Sequence, residues 1–178
     1  MASYAAFLRG INVGGHHKVP MAQLKKCMEE MGLGNVKTLL NTGNVVFESD
    51  VAESAELELL IEGKLATDFG FKIPTMVVTR HEVDGWISDN PFVRVKLHDD
   101  IRQYISIVRA GMHPKGDFPV VYDDGAFTIL SILGRAVTSV LDLSLTKTVK
   151  GMEALEKLYG KDITTRNWNT IVKVSKLF

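Results

Sequence analysis

Apolar and polar residues follow two spacings along the chain, and each spacing predicts a different element. Apolar residues three and four apart predict amphipathic helices over residues 20–31 and 53–69. Short apolar or β-branched runs predict strands around these helices, at residues 4–8, 36–40, 45–47 and 73–78. The order strand, helix, strand, strand, helix, strand is typical of the split βαβ unit, an antiparallel sheet with both helices on one face.

Turn residues support these boundaries. Asn41-Thr42-Gly43-Asn44 separates two strand-like runs, and its glycine and asparagines tolerate the positive φ of a tight hairpin. Thr79 and Glu82 have the spacing of a capping box, which predicts a short helix ending near Ser88. Gly32 and Gly70 follow the two longer helices, as C-terminal glycines commonly do.

The second half of the chain predicts a sheet followed by helices. Strands are expected at residues 103–108, 120–122, 127–133 and 136–141, and helices at 152–159 and 166–177. We place a boundary near residues 79–90. The predicted fold is therefore α+β with two ferredoxin-like units, antiparallel sheets with helices packed on one face. Residues 1–79 form the βαββαβ domain, and residues 80–178 form a modified ferredoxin-like domain with a C-terminal helix.

Composition and charge narrow the class of protein. The 178 residues are 46% apolar and 24% charged, which is typical of a folded globular chain. The net charge is zero, so the whole molecule lacks the long-range attraction for polyanions that most nucleic-acid binders use. Residues 1–28 and 163–178 are nevertheless basic and free of acids, whereas the acidic residues 48–68 predict a solvated helix face.

The N-terminal sequence and the number of cysteines indicate the cellular compartment in which the protein is expected. Cys27 is the one cysteine, so no intramolecular disulfide can form, and nothing indicates an oxidising compartment. The N-terminal apolar stretch has no basic residues before it and is too short for a signal sequence or a membrane span. We expect a cytoplasmic protein with no membrane association.

Three stretches together resemble a known family. They are LRGINVGGHHKVPM at residues 8–21, NTGNVVF at 41–47 and TTRNWNTIVKV at 164–174. They resemble the uncharacterised bacterial family called domain of unknown function 1697, over nearly the whole chain. The resemblance implies an α+β protein of two ferredoxin-like units, and it implies no activity, substrate or cofactor. One departure is visible, because residues 144–147 read Ser-Leu-Thr-Lys where members often carry a Gly-Arg-Ser-Lys-like run.

The glycine-rich loop after the first strand is a candidate anion site. Gly10 to Gly15 matches the first half of a Walker A motif, but His16 and His17 stand where that motif needs lysine and then serine or threonine. This argues against a nucleotide-hydrolase loop. A simpler turn could still present backbone amides to an anion, with Arg9 and Lys18 supplying charge. The alternative is that the glycines only permit positive φ.

Metal and nucleophile chemistry receive little support. Adjacent histidines in a loop rarely direct both rings at one ion, so we expect no metal at His16 and His17 and no cofactor. Cys27 lies on the apolar face of the first helix with Met28 and Met31, which predicts a core residue.

The last helix supplies the second part of the predicted site. Thr164 or Thr165 could cap it and leave the amides near residues 166 and 167 free for an anion. We therefore predict one pocket for a small phosphate- or carboxylate-bearing ligand or a nucleotide. It is formed by Arg9, Gly10, Asn12, Gly14, Gly15, Lys18, Arg166 and Asn167.

Three other functions stay open from sequence alone. One is an enzyme acting on a small anionic metabolite, with Arg9 and Arg166 as clamps and His16 or His17 transferring a proton. Another is RNA binding, which is weaker because the aromatic RNP pattern is missing. The third is a structural or oligomerisation module, and the oligomeric state is not specified by the sequence.

Overall fold

The computed structural model describes residues 1–146 and 150–178. Two antiparallel sheets and five helices make up this part of the chain, so the predicted α+β class is confirmed. The departure from the family at residues 144–147 extends to Lys147, which lies outside the described residues.

The first sheet follows the predicted order of elements. Its strands run in the order β2-β3-β1-β4, and every neighbouring pair is antiparallel. They are β1 (Ala2–Leu8), β2 (Gly34–Leu39), β3 (Asn44–Ser49) and β4 (Thr75–Thr79). Two helices, α1 (Met21–Glu30) and α2 (Ser54–Phe69), pack on one face of this sheet through Leu24, Met28 and Ile61.

β1 is apolar on both sides because both faces of its sheet are covered. Tyr4, Ala6 and Leu8 face the core under α1 and α2, whereas Ala5 and Phe7 face the middle of the molecule. Burial on both faces explains the continuous apolar run at residues 4–8, since a strand covered on one side only would alternate.

The second sheet has the strand order β6-β7-β8-β5-β9 and is also antiparallel throughout. Its strands are β5 (Ile101–Val108), β6 (Val120–Tyr122), β7 (Phe127–Leu133), β8 (Ala136–Asp142) and β9 (Ile163–Asn167). Four of them lie where the sequence predicts strands. Residues 166 and 167 belong to β9, so the prediction that a helix begins at residue 166 is wrong.

Three helices pack against the second sheet. α4 (Lys150–Tyr159) precedes β9, and its Leu155 packs with Phe127 and Ile163 on the outer face of the sheet. α3 (Arg80–Asp89) and α5 (Trp168–Ser175) instead contribute Trp86 and Ile171 to a middle layer between the two sheets.

This middle layer corrects part of the predicted architecture. It contains Phe7 and Met76 of the first sheet and Ile105 of the second, with α3 and α5. Each sheet therefore has helices on both faces, because α3 and α5 add a second helical face that the predicted packing on one face does not include. The division into two domains at residue 79 stays a prediction. The two sheets are built from separate stretches of chain, but they share this buried layer.

The hairpin tip of each sheet reaches the last strand of the other. The turn after β2 accepts hydrogen bonds from Arg166 in β9, at the carbonyl of Thr42 (3.0 Å) and the side chain of Asn44 (2.5 Å). The turn between β7 and β8 carries Arg135, which donates to the carbonyl of Val77 in β4. Arg166 also donates to the carbonyl of Leu8, which brings the base of the glycine-rich loop next to β9.

Candidate functional site

The glycine-rich loop is a small hairpin-like turn between β1 and α1. The amide of Asn12 donates to the carbonyl of His17 (3.1 Å), and the amide of His16 donates to the carbonyl of Val13 (3.1 Å). Gly10, Gly14 and Gly15 have positive φ values of 70°, 59° and 79°. These glycines therefore adopt the positive φ that the sequence predicts for them, which other residues rarely adopt.

Asn12 holds this loop against the first hairpin. Its side-chain oxygen accepts from the amide of Val19 (2.8 Å), and its side-chain nitrogen donates to the carbonyls of Val19 (3.0 Å) and Asn41 (2.7 Å). Asn12 also has a positive φ of 56°, which asparagine tolerates better than most residues. The geometry gives Asn12 a bracing role in the loop.

A groove of about 350 Å³ lies between this turn and the start of α1. We call it the loop groove, and it is lined by Asn12, Gly15, Lys18, Val19, Pro20, Met21 and Asn41. Lys18 is exposed, and no carboxylate lines the groove. Gly10 and Gly14 lie in the turn but do not line it.

The first turn of α1 begins at the groove, which Pro20 and Met21 line. Pro20 occupies the N-cap position and provides no side-chain cap, and no acidic residue lies in the first turn. The amide of Leu24 is the first to bond within the helix, to the carbonyl of Pro20 (3.0 Å). The three preceding amides, at residues 21–23, therefore have no intrahelical partner and carry the positive end of the helix dipole.

Arg9 points away from the loop groove. Its guanidinium donates to the carbonyl of Ile163 and forms an ion pair with Glu156 of α4. The charge of Arg9 is thus already paired, and Arg9 is not among the residues that line the groove. Its predicted role as a ligand contact is not supported by this position.

Arg166 is buried, with 9% of its surface exposed. Its guanidinium donates to Asn44 and Thr164 side chains and to the carbonyls of Leu8, Thr42 and Thr165, over 2.5–3.0 Å. These five contacts use all five N–H donors of an arginine. The predicted contact between Arg166 and a ligand is corrected, because its side chain has no donor left to offer.

Asn167 lies at a different groove. It ends β9, serves as the N-cap of α5, and lines a hollow with Arg102 and Lys173. That hollow shares no lining residue with the loop groove. Arg9 and Arg166 join the two ends of the chain, through the carbonyls of Ile163 and Leu8, which the sequence alone could not establish. The eight predicted residues do not line one pocket.

Comparison with known proteins places this architecture in a family. The family model "Protein of unknown function (DUF1697)" matches residues 1–116. The chain belongs to this family. The match includes the glycine-rich loop and NTGNVVF, two of the three stretches that resemble DUF1697 by sequence, and the third stretch lies beyond it.

A solved structure shares the fold of this DUF1697 chain. It is the conserved bacterial protein SP0830 from Streptococcus pneumoniae, with a TM-score of 0.75 and 23% sequence identity over 99% of this chain and 98% of that chain. At this identity the likeness shows the fold alone. A search of curated proteins finds no match.

Two other residues of this family member that were considered for chemistry, Cys27 and His17, pack against apolar or aromatic neighbours. Cys27 is buried, as predicted, and burial raises the pKa of its thiol to about 12. His17 stacks on Phe71 with ring centroids 4.5 Å apart. Among residues 1–146 and 150–178 no three His, Cys, Asp or Glu side chains gather as a metal site, and no helix there is long and apolar enough to cross a bilayer.

A buried ionic cluster lies at the junction of the sheets of this DUF1697 chain, and the sequence pattern did not predict it. Glu58 of α2 is only 1% exposed and faces Arg109 (3.5 Å) and Arg135 (3.4 Å). It also accepts from the amides of Val77 (3.0 Å) and Ala110 (3.1 Å). The expectation that the acidic stretch is solvated is therefore wrong for Glu58. Its spacing from the apolar residues Leu57 and Ile61 was the available signal.

Proposed function

We propose that this protein binds a small anionic ligand, carrying a phosphate or carboxylate group, in the loop groove. One observation supports this most strongly: the uncapped start of α1, at Pro20 and Met21, and the exposed Lys18 line a groove that no carboxylate lines. Helix N-termini with free amides attract anions, because the amides donate hydrogen bonds and the dipole favours negative charge.

The order of elements supports the choice of this groove over the rest of the surface. We infer that both units follow a ferredoxin-like plan, since β7-β8-β5-β9 repeats the arrangement β2-β3-β1-β4. The first unit has α1 between its first two strands, whereas residues 109–119 of the second unit contain no helix. The glycine turn followed by a helix N-terminus thus occurs in the first unit without an equivalent there.

Within this proposal, Arg9, Asn12 and Arg166 position the loop. Asn12 joins it to Asn41, and Arg166 joins its base at Leu8 to the turn at Thr42. Gly15, Lys18 and the amides of residues 21–23 contact the ligand. A rigid loop favours binding because less conformational entropy is lost when the ligand arrives.

A thermal-shift screen against inorganic phosphate, nucleotides, sugar phosphates, carboxylates and short RNA tests the proposal. A ligand at about 100 times its Kd adds about 2.7 kcal/mol to the free energy of unfolding. Lys18→Gln should weaken the stabilising anion by about tenfold, since a hydrogen bond to a charged group is lost. Lys25→Gln, which removes the same charge from the exposed side of α1, is the matched control.

Two results would contradict the proposal. One is the absence of any stabilising anion across the screen. The other is equal weakening by Lys18→Gln and Lys25→Gln, which would indicate general charge attraction and no defined groove.

A further inference from the structure

Helix α2 carries large apolar side chains on two sides. Leu57, Ile61 and Leu65 face the core under the first sheet. Leu59 and Leu60 lie on the other side, and they are 68% and 47% exposed. Adjacent exposed leucines on a helix that already packs against a core are typical of a surface that contacts another molecule.

An apolar groove of about 360 Å³ lies beside Leu59. We call it the α2 groove. Its walls are one side of α2 and the chain that enters β4, at Leu59, Gly63, Ala66, Lys72, Ile73 and Pro74. A Cβ built on Gly63 would have nothing within 4 Å, so the groove is open at this point to an incoming side chain.

The charges at the α2 groove are unevenly satisfied. Arg109 and Glu62 also line it, and Arg109 forms ion pairs with Glu62 (2.6 Å) and Asp162 (2.7 Å). Lys72 is exposed and forms no ion pair with the part of the chain that the structure describes. An anionic group on an incoming surface would therefore find its counter-charge at Lys72.

Lys72 lies towards the C-terminal end of α2. The amide of Thr75 donates to Glu62 (2.8 Å), and the amide of Val77 donates to Glu58, one turn earlier in the helix (3.0 Å). These bonds show that β4 runs antiparallel to α2. Residue 72, which precedes β4, is therefore displaced from Glu62 towards the end of the helix.

The N-terminal end of α2 has the opposite charge. Glu56 lies in the first turn, is exposed, and forms no ion pair within residues 1–146 and 150–178. Glu56, Leu59 and Gly63 are spaced three and four residues apart, so they share one face of the helix. This face is thus acidic at its start and apolar in its middle, and the free cation Lys72 lies beyond it.

We propose that two copies of this chain associate through the α2 groove, with their α2 helices antiparallel about a two-fold axis. Leu59 of each copy enters the groove of the other and packs against Ala66 and Ile73, and Glu56 of each copy pairs with Lys72 of the other. A second copy matches both ends of the surface, whereas a partner with charge of one sign would match one end only. Two-fold contacts of this kind are self-complementary.

Sedimentation velocity of the full chain over about a hundredfold range of concentration tests the proposal, since mass action populates a dimer as concentration rises. The contact involves one helix and a short stretch of chain from each copy, so we expect a weak dimer. Leu59→Gln should weaken it by about tenfold or more, because two apolar contacts are lost. Leu158→Gln changes an exposed leucine of α4 and is the matched control, which should leave association unchanged.

A charge exchange tests the orientation of the two helices. Glu56→Lys and Lys72→Glu each place like charges opposite one another, so each should weaken association. The variant with both substitutions has the net charge of the wild type and again pairs opposite charges, so it should recover the association. Both positions are exposed, and circular dichroism of the dilute protein checks that each variant is folded.

A chain that stays monomeric over the whole range of concentration overturns the proposal. A dimer that Leu59→Gln does not weaken would lie on another surface and also overturns it. Failure of the double variant to recover association would contradict the antiparallel pairing of Glu56 with Lys72. None of these results depends on ligand binding in the loop groove.

Discussion

Arg166 is a buried cation whose partners are all neutral. It donates to three carbonyls and two side chains, and its guanidinium lies 5.7 Å from the ring centre of Phe7. Burial lowers its pKa to about 10, which leaves it charged at neutral pH. Removing one member of such a network leaves several buried acceptors unpaired, and each unpaired group carries a desolvation cost.

Arg166→Lys should therefore lower the free energy of unfolding by about 2–4 kcal/mol, because an ammonium cannot reproduce the five directed donors of a guanidinium. Urea denaturation followed by circular dichroism measures this change. Arg102→Lys makes the same exchange at an exposed position and should change the free energy by less than about 0.5 kcal/mol. Equal effects of the two substitutions would show that the network contributes little.

Glu58 is a second buried ionisable group, and two of its partners, Arg109 and Arg135, are charged. Burial raises its pKa, and this effect exceeds the lowering by the amides of Val77 and Ala110 and by the two arginines. The folded chain therefore holds this proton more tightly than the unfolded chain. As pH rises from the unfolded pKa through the folded pKa, that contribution to stability is lost.

Glu58→Gln isolates this contribution, because the variant has no proton to lose at this position. The free energy of unfolding of the wild type minus that of the variant should fall as pH rises above the unfolded pKa of glutamate, about 4.3, and should level off once pH exceeds the raised folded pKa. The lowered pKa values of Asp68 and Asp142 affect both proteins equally and cancel. A difference that grows with pH would mean that the arginines outweigh burial.

At the scale of elements, the first hairpin shows how a turn fixes the loop. Positive φ occurs at Gly43 (74°), as the turn sequence predicts, and at Leu40 (59°), whereas Asn41 and Asn44 do not adopt it. A Cβ on Gly43 would lie 2.7 Å from Cδ1 of Ile11 and 2.8 Å from Cβ of Leu8. Close approach of the glycine-rich loop therefore requires glycine here.

Gly43→Ala should cost about 2–4 kcal/mol, from a left-handed residue together with overpacking against Ile11 and Leu8. Gly134→Ala is the matched control, because Gly134 has a φ of 60° and nothing within 4 Å of a built Cβ. It should cost only about 1–2 kcal/mol. Chemical denaturation of both variants gives the comparison, and equal losses would refute the packing argument.

Elements with strong local signals could be predicted from the sequence, and β9 could not. The capping box of α3 is confirmed, with the amide of Glu82 3.2 Å from the hydroxyl of Thr79. Thr164 and Thr165 were interpreted as helix caps, but they pair with β5 in the sheet. Threonine favours both positions, and its pairing with a distant strand decides between them.

At the scale of the whole molecule, the predicted site divides in two because sequence neighbours separate at the β9–α5 boundary. Arg166 points into the junction between the sheets, and Asn167, the next residue, lines the hollow of Arg102 and Lys173. Glycines and basic residues could indicate the loop groove. The sequence could not place Arg102 beside residues 167–173, because their proximity depends on the pairing of β5 with β9 in the sheet.

The most direct test of the account follows the amides of Gly15, Met21, Ala22 and Gln23 during a phosphate titration of the full-length chain by ¹⁵N NMR. The account predicts saturable shifts at these four amides in the wild type and about tenfold weaker binding in Lys18→Gln. Shifts no larger than those caused by chloride at equal ionic strength would contradict an anion site at the start of α1.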